Sequence, residues 1–112
     1  MKLKVRIGKL AQEFLDALDT KVQQKIYFNI FKVEEGIIDS ELFKKLENTE
    51  IWEFRTLFGG NCYRLFAFWD ETQRAIIIVT HGIVKKTQKT PLKEIRKAEE
   101  LMKEHYDKRR QQ

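Results

Sequence analysis

Apolar positions along the chain are spaced first by two residues and then by three or four. Residues 2–7 alternate charged and apolar side chains, which predicts a β-strand. Two segments with helical spacing follow, and Thr20 with Gln23 predicts a capping box at the start of the second. The second predicted helix ends near Gly36, a residue type that commonly terminates helices. The two segments predict a helical hairpin with apolar positions at Leu10, Phe14, Leu15 and Leu18, then at Val22, Ile26, Ile30 and Val33.

The centre of the chain has the composition of strands. Residues 51–58 and 62–69 lie on either side of a glycine pair, which predicts a β-hairpin. After a polar turn, residues 75–84 are rich in β-branched side chains, which predicts a buried third strand. These segments predict a three-stranded antiparallel meander, and the first strand of the chain is free to join its edge.

The remaining elements are helical. Ser40 predicts the cap of a short helical turn with apolar positions at Leu42, Phe43 and Leu46. Thr90 and Pro91 predict the N-cap and first residue of a last helix. The core-facing positions predicted for that helix are Leu92, Ile95, Met102 and Tyr106.

The element order predicts an α+β fold: an N-terminal strand and helical hairpin, then the meander and a C-terminal helix, with the helices on one side of the sheet. The chain has 112 residues, of which 42% are hydrophobic. This length is enough for one hydrophobic core and too short for two ordinary domains. We therefore expect residues 1–112 to form a single domain.

Two arginines lie within the strand-like segments of the predicted hairpin. If Gly59 and Gly60 form a two-residue turn, Arg55 lies opposite Arg64 and both side chains leave one face of the sheet. Like charges placed opposite each other destabilise a sheet, so an anion is expected there, and a phosphate matches the guanidinium fork. A three-residue loop that includes Asn61 would instead place the arginines on opposite faces.

The charge of the chain is concentrated at its C-terminal end. Residues 1–84 carry 12 Lys+Arg and 12 Asp+Glu, whereas residues 85–112 carry 10 and 5. Such a basic segment indicates either a polyanionic partner or a solvated helix. A single cysteine, Cys62, excludes an internal disulfide and fits a reducing compartment. The first residues have no apolar signal segment, and no apolar run is long enough to cross a membrane, so we expect a soluble, cytoplasmic protein.

Three motifs carry a resemblance to a known family. W-E-F-R, G-G-N-C-Y-R and above all H-G-I-V-K-K-T-Q-K-T-P, followed by a helix, resemble the phage-derived Gp49-like or HigB-type branch of the RelE/ParE toxin superfamily. The resemblance implies a RelE-like fold. It also implies the toxin of a type II toxin-antitoxin system, a ribosome-dependent mRNA endonuclease that inhibits translation. Its partners would be the ribosome, mRNA and a cognate HigA-like antitoxin with a helix-turn-helix domain.

The same resemblance implies the positions of the site. The basic active-site residues of the family correspond to Arg55 and Arg64 on the strands and to Lys85 and Lys86 at the end of the last strand. These four are the candidate catalytic residues. Further candidates for RNA binding are Lys89, Lys93 and His81.

Basic residues alone are sufficient for RNA cleavage in principle. The 2′-hydroxyl attacks the adjacent phosphorus once it is aligned, so a protein needs to orient the strand, neutralise charge and assist proton transfer. Arginines would hold the phosphate, and Lys85 or Lys86 would act as the base, with His81 as an alternative. No Cys, His, Asp or Glu spacing suggests a metal site, and no glycine pattern suggests a nucleotide cofactor.

Two other functions stay open at this point. The ParE side of the superfamily suggests a non-catalytic inhibitor of DNA gyrase, and the basic C-terminal end also fits a simple nucleic-acid-binding module. The group of four basic residues on one predicted face favours the endonuclease.

Overall fold

The computed structural model describes residues 2–86 and 89–110. Within these ranges the chain forms five strands and three helices. In chain order they are β1 (Lys4–Ile7), α1 (Lys9–Asp16), α2 (Thr20–Glu34), β2 (Phe43–Lys45), β3 (Trp52–Phe58), β4 (Asn61–Trp69), β5 (Ile76–Lys85) and α3 (Leu92–Arg110).

All five strands belong to one sheet in the order β1-β5-β4-β3-β2. Strands β3, β4 and β5 are antiparallel neighbours, as the meander prediction required. Strand β1 joins the edge of β5 in the parallel direction, and β2 adds a short antiparallel strand to β3. The predicted fold class is therefore confirmed.

Helices cover both faces of the sheet, so the expectation that they share one side is wrong. Helices α1 and α2 pack on the face that contains Leu65 and Ala67 of β4. Helix α3 packs on the opposite face, against Phe66 and Phe68 of the same strand. Successive strand residues point to opposite faces, and β4 is apolar at both parities, so each face needs a cover of its own.

Two local predictions are also wrong, the first of them in part. Residues 40–42 do form a single turn, in which Phe43 N donates to the Asp39 carbonyl at 2.8 Å, but the turn does not reach Leu46. Phe43–Lys45 instead form strand β2, because Phe43 pairs with Phe54 and their ring centroids lie 4.3 Å apart. This tertiary contact outweighs the local preference for a helical turn. The capping box is absent, since Asp19 is the N-cap of α2 and the Gln23 side chain donates to the Leu15 carbonyl at 2.7 Å instead.

Helix α3 is fixed to the sheet by apolar contacts and by a buried carboxylate. Ile95, Met102 and Tyr106 pack against the core as expected, whereas Leu92 is exposed. The buried Asp70, directly after β4, accepts hydrogen bonds from two residues of the last turns of the helix: His105 Nε2 at 3.0 Å and Arg109 at 2.8 Å. The C-terminal half of α3 is thereby held beside the turn between β4 and β5.

A β-bulge decides which residues of β5 face α3. Phe66 pairs with His81 but Ala67 pairs with Val79, so Thr80 is the additional residue. Beyond the bulge, odd-numbered residues of β5 lie on the α3 face, and Gly82 lies beneath Phe14 of α1. The bulge therefore places Lys85 on the same face as Arg64.

Candidate functional site

The hairpin between β3 and β4 has the two-residue turn. Phe58 pairs with Asn61, and both turn glycines have positive φ, 58° at Gly59 and 81° at Gly60. Arg55 consequently pairs with Arg64 across the two strands. Both arginines lie on the face that α3 covers, so the predicted register is confirmed.

A buried carboxylate lies between the two arginines. Glu53 Oε1 is 3.5 Å from Arg55 Nε, and Glu53 Oε2 is 3.7 Å from a terminal nitrogen of Arg64. The side chains of Glu53 and Arg64 are each only 1% exposed, and that of Arg55 is 17% exposed. The anion expected beside the pair is thus supplied in part by the protein, and Arg64 itself is shielded from solvent.

Thr90 joins this ion cluster to the start of α3. Its hydroxyl accepts a hydrogen bond from Arg64 at 2.6 Å and donates one to Glu53 Oε2 at 2.8 Å. The side chain predicted as a helix cap therefore serves the charged cluster instead. We call Glu53, Arg55, Arg64 and Thr90 the Glu53 cluster.

A surface cavity of about 270 Å³ opens beside the Glu53 cluster at the turn end of the hairpin. Three cationic side chains contribute to its wall, and with Glu53 behind them the local charge remains positive. An exposed aromatic ring, Phe58, stands beside them. The full lining is Arg55, Leu57, Phe58, Gly60, Asn61, Cys62, Arg64 and Lys86. Three of the four basic residues predicted to share one face of the sheet line this cavity together: Arg55, Arg64 and Lys86.

A comparison with known families identifies the chain. Residues 13–103 match the family described as phage derived protein Gp49-like (DUF891). The chain belongs to the Gp49-like family. This is a RelE/HigB-like toxin family, so the resemblance seen in the sequence is confirmed.

Solved structures share the fold of this Gp49-like protein at low sequence identity. A mutant of E. coli toxin RelE in the free state is 16% identical with a TM-score of 0.58, over 79% of this chain and 86% of that one. Isolated E. coli RelE is 16% identical with a TM-score of 0.57, over 82% of this chain and 92% of that one. The archaeal RelE–RelB complex from Pyrococcus horikoshii is 17% identical with a TM-score of 0.51, over 80% of this chain and 100% of that one. No curated protein matches the sequence. The shared feature is therefore the RelE fold.

The other lysines predicted for the site are not among the described residues that line the cavity. Lys85 pairs with Cys62 and lies half-buried on the same face as Arg64, outside the cavity lining. Lys89, before Thr90, and Lys93, in the first turn of α3, are both exposed. Thr87 and Gln88, the centre of the K-K-T-Q-K-T-P motif, lie outside the described residues.

His81 is buried beneath α3 and does not reach the surface. Its ring stacks on Phe66 with centroids 4.8 Å apart, and its Nε2 lies 3.3 Å from Glu94 of α3. Burial and the nearby Lys97 lower the pKa of His81, although Glu94 opposes the shift. The position contradicts the expected RNA contact, because RNA cannot touch the ring while α3 is in place.

Two members of the site were not expected from the sequence. The prediction treated Glu53 only as part of a strand motif and Thr90 only as a cap. The alternation of β3 does place Glu53 on the face of Arg55, two residues away, and this parity was the available signal. Thr90 gave no such signal, because its contact with Arg64 bridges 26 positions of sequence.

The described residues contain neither a metal-ligand cluster nor a membrane-spanning helix. Between residues 2–86 and 89–110 no three His, Cys, Asp or Glu side chains are grouped to hold a metal ion. None of the helices in the same ranges has the length and apolarity needed to cross a membrane.

Proposed function

We propose that this Gp49-like protein is the toxin of a type II toxin-antitoxin system and cleaves mRNA on translating ribosomes in the cytoplasm. The observation that supports this proposal most directly is the cavity at the turn end of the hairpin, whose lining includes Arg55, Arg64 and Lys86. Cationic side chains at a concave site can bind a phosphodiester and stabilise the charge that develops during its cleavage. Membership of a RelE/HigB-like toxin family supports the same function.

The proposed reaction is an internal transesterification of RNA. The 2′-oxygen bonds to phosphorus, the bond from phosphorus to the 5′-oxygen breaks, and the products carry a 2′,3′-cyclic phosphate and a 5′-hydroxyl. A base accepts the proton of the 2′-hydroxyl, and an acid supplies one to the leaving oxygen. The protein aligns the strand for this attack and stabilises the phosphorane charge.

The degree of exposure suggests different roles for the basic residues. Arg55 and Lys86 reach the open part of the cavity, so we assign the direct phosphate contacts to them. Arg64 forms the buried floor of the cavity, and we assign to it a positive charge that attracts the phosphate without direct exposure to solvent. Lys85 and Lys86 are the candidates for proton transfer. We assign contacts with the flanking RNA strand to Lys89 and Lys93, which are both exposed.

The test maps RNA 5′ ends on a message translated in vitro with the purified protein. We expect cleavage by the wild type, and a loss of about 100-fold or more in Arg55→Ala and in Lys86→Ala. Lys21→Ala is the matched control, because Lys21 is an exposed cation of α2 on the other side of the sheet. Uncut message with the wild type would refute the endonuclease. A gyrase supercoiling assay on the same protein tests the ParE-like alternative.

The proposed function also implies an antitoxin. Helix α2 exposes Tyr27, Phe28 and Phe31, which a partner protein could cover. The Pyrococcus horikoshii relative was solved as a complex of RelE with RelB. We therefore expect the product of a neighbouring helix-turn-helix gene to relieve growth arrest and to co-purify with this chain. A neighbouring product that does neither would contradict the pairing.

A further inference from the structure

Glu53 and Thr90 have no role in the proposed reaction, although both contact arginines that line the cavity. Glu53 and Arg64 are buried to the same extent, and Thr90 connects them through one hydroxyl. The directions of these bonds are fixed. An arginine can only donate and a carboxylate can only accept, so the proton of Thr90 must point to Glu53.

The carboxylate of Glu53 divides its two oxygens between the two strands. Oε1 faces Arg55 on β3, and Oε2 faces Arg64 on β4 together with the Thr90 hydroxyl. One anion thereby fixes two guanidinium groups that would otherwise repel each other across the hairpin. The two hydrogen bonds of the Thr90 hydroxyl, at 2.6 and 2.8 Å, add a directional restraint to these ion pairs. Glu53 and Thr90 together therefore restrain the orientation of the two arginines.

We propose that Glu53 and Thr90 are positioning residues, which set the geometry of Arg55 and Arg64 for a phosphodiester without contacting it themselves. The inference rests on the proposed function for its catalytic consequence. Its structural content, that one hydroxyl and one carboxylate orient the two arginines, can be tested independently of cleavage.

A purely structural role for the cluster makes a different prediction from a positioning role. Thr56 supplies the matched control, because its buried hydroxyl accepts a hydrogen bond from Asn29 at 2.9 Å on the opposite face of the same strand, β3. Both Thr90→Val and Thr56→Val remove a hydroxyl with little change in shape. If only stability mattered, the two variants would lose activity in proportion to their loss of stability.

The kinetic experiment compares Thr90→Val, Thr90→Ser and Thr56→Val at a temperature at which all are folded. We expect Thr90→Val to lower kcat by about 10 to 100-fold with KM changed by less than about threefold, since displaced catalytic groups impair the chemical step. Thr90→Ser should restore most of the rate because it restores the hydroxyl. Thr56→Val should cleave like the wild type. Equal rates in Thr90→Val and Thr56→Val would overturn the inference.

A second measurement needs no cleavage. The NMR signals of the arginine Nε–H groups are recorded in each variant, with inorganic phosphate as the titrant. We expect Thr90→Val to shift the signals of both Arg64 and Arg55 and to weaken the response to phosphate, whereas Thr56→Val leaves them unchanged. Glu53→Asp keeps the charge but shortens the side chain, so it should shift the same arginine signals as Thr90→Val. It replaces Thr90→Val in this experiment if that variant does not fold. Unchanged arginine signals would refute the positioning role, whereas a wild type that binds phosphate without cutting message would refute only the endonuclease.

Discussion

The contribution of Asp70 to stability can be estimated from its surroundings. Burial raises its pKa, but hydrogen bonds from Thr72 and His105 and the charge of Arg109 outweigh this effect and lower the pKa from 3.8 to about 2. Each pKa unit corresponds to roughly 1.4 kcal/mol, so the ionised carboxylate stabilises the folded state by about 2 kcal/mol. For a chain of 112 residues this corresponds to about 9 °C in Tm, given an unfolding entropy of roughly 2.1 cal/mol/K per residue.

The sign of the pH dependence follows from the direction of the shift. Because the pKa of Asp70 is lower in the folded state, the stabilisation is present above pH 3.8 and is lost as the pH falls toward about 2. We expect Asp70→Asn to be less stable than the wild type at neutral pH by about 2 kcal/mol or more, since the amide also presents a donor to Arg109. The difference should shrink steadily in acid.

Urea denaturation followed by tryptophan fluorescence measures this difference. Trp69 directly precedes Asp70 and packs edge-on against Trp52 at 5.8 Å, so unfolding changes its environment. Asp107→Asn is the matched control, because Asp107 is exposed on α3, the helix that Asp70 contacts. An Asp70→Asn deficit that is the same at about pH 7 and about pH 2.5 would refute the reasoning, because it would show that ionisation of Asp70 does not stabilise the fold.

Two other predictions concern the core and a second titration. Gly82→Ala should lower the free energy of unfolding, measured by urea denaturation, by about 1–3 kcal/mol, because the new Cβ would lie 2.5 Å from the Phe14 ring and 2.8 Å from Leu65. Adding Phe14→Leu to this variant should recover part of the loss, and strictly additive effects of the two substitutions would contradict this account. The pKa of His81 lies below its ordinary 6.5, so the unfolded chain binds the proton more readily and the stability of the fold should decrease as the pH drops below 6.5. His81→Gln should lack this pH dependence, and identical curves of stability against pH for the two proteins would exclude it.

The sequence predicted the geometry of the hairpin because a local rule favours it. The glycine pair favoured a two-residue turn over a three-residue loop, and the register of that turn places Arg55 opposite Arg64. In the same way the glycine after α2 marked the helix end, with φ of 93° at Gly36. Each of these inferences uses residues close together in sequence.

The wrong predictions concern contacts between distant segments. The side of the sheet that α3 occupies depends on the apolar residues left uncovered by α1 and α2, and the segment after Ser40 became a strand because β3 offered an edge. Burial of Arg64 needed both Glu53 and Thr90 to be in position. A charged residue is seldom fully buried unless it is paired, so a sequence that does not reveal the pair favours an exposed arginine.

The buried Arg64 changes how mutations at the site should be interpreted. If all three cations faced solvent, each alanine substitution would leave the fold intact and test catalysis alone. Arg64→Ala instead removes one partner of a buried ion pair and leaves Glu53 with less compensation, a change that commonly costs about 3–5 kcal/mol. Loss of toxicity in Arg64→Ala would therefore be explained equally well by unfolding. Lys86 is exposed and lines the same cavity, so Lys86→Ala tests the proposed cleavage with the least expected change in stability. Arg55→Ala also removes an ion-pair partner of the buried Glu53, so its loss of activity has to be compared with its loss of stability.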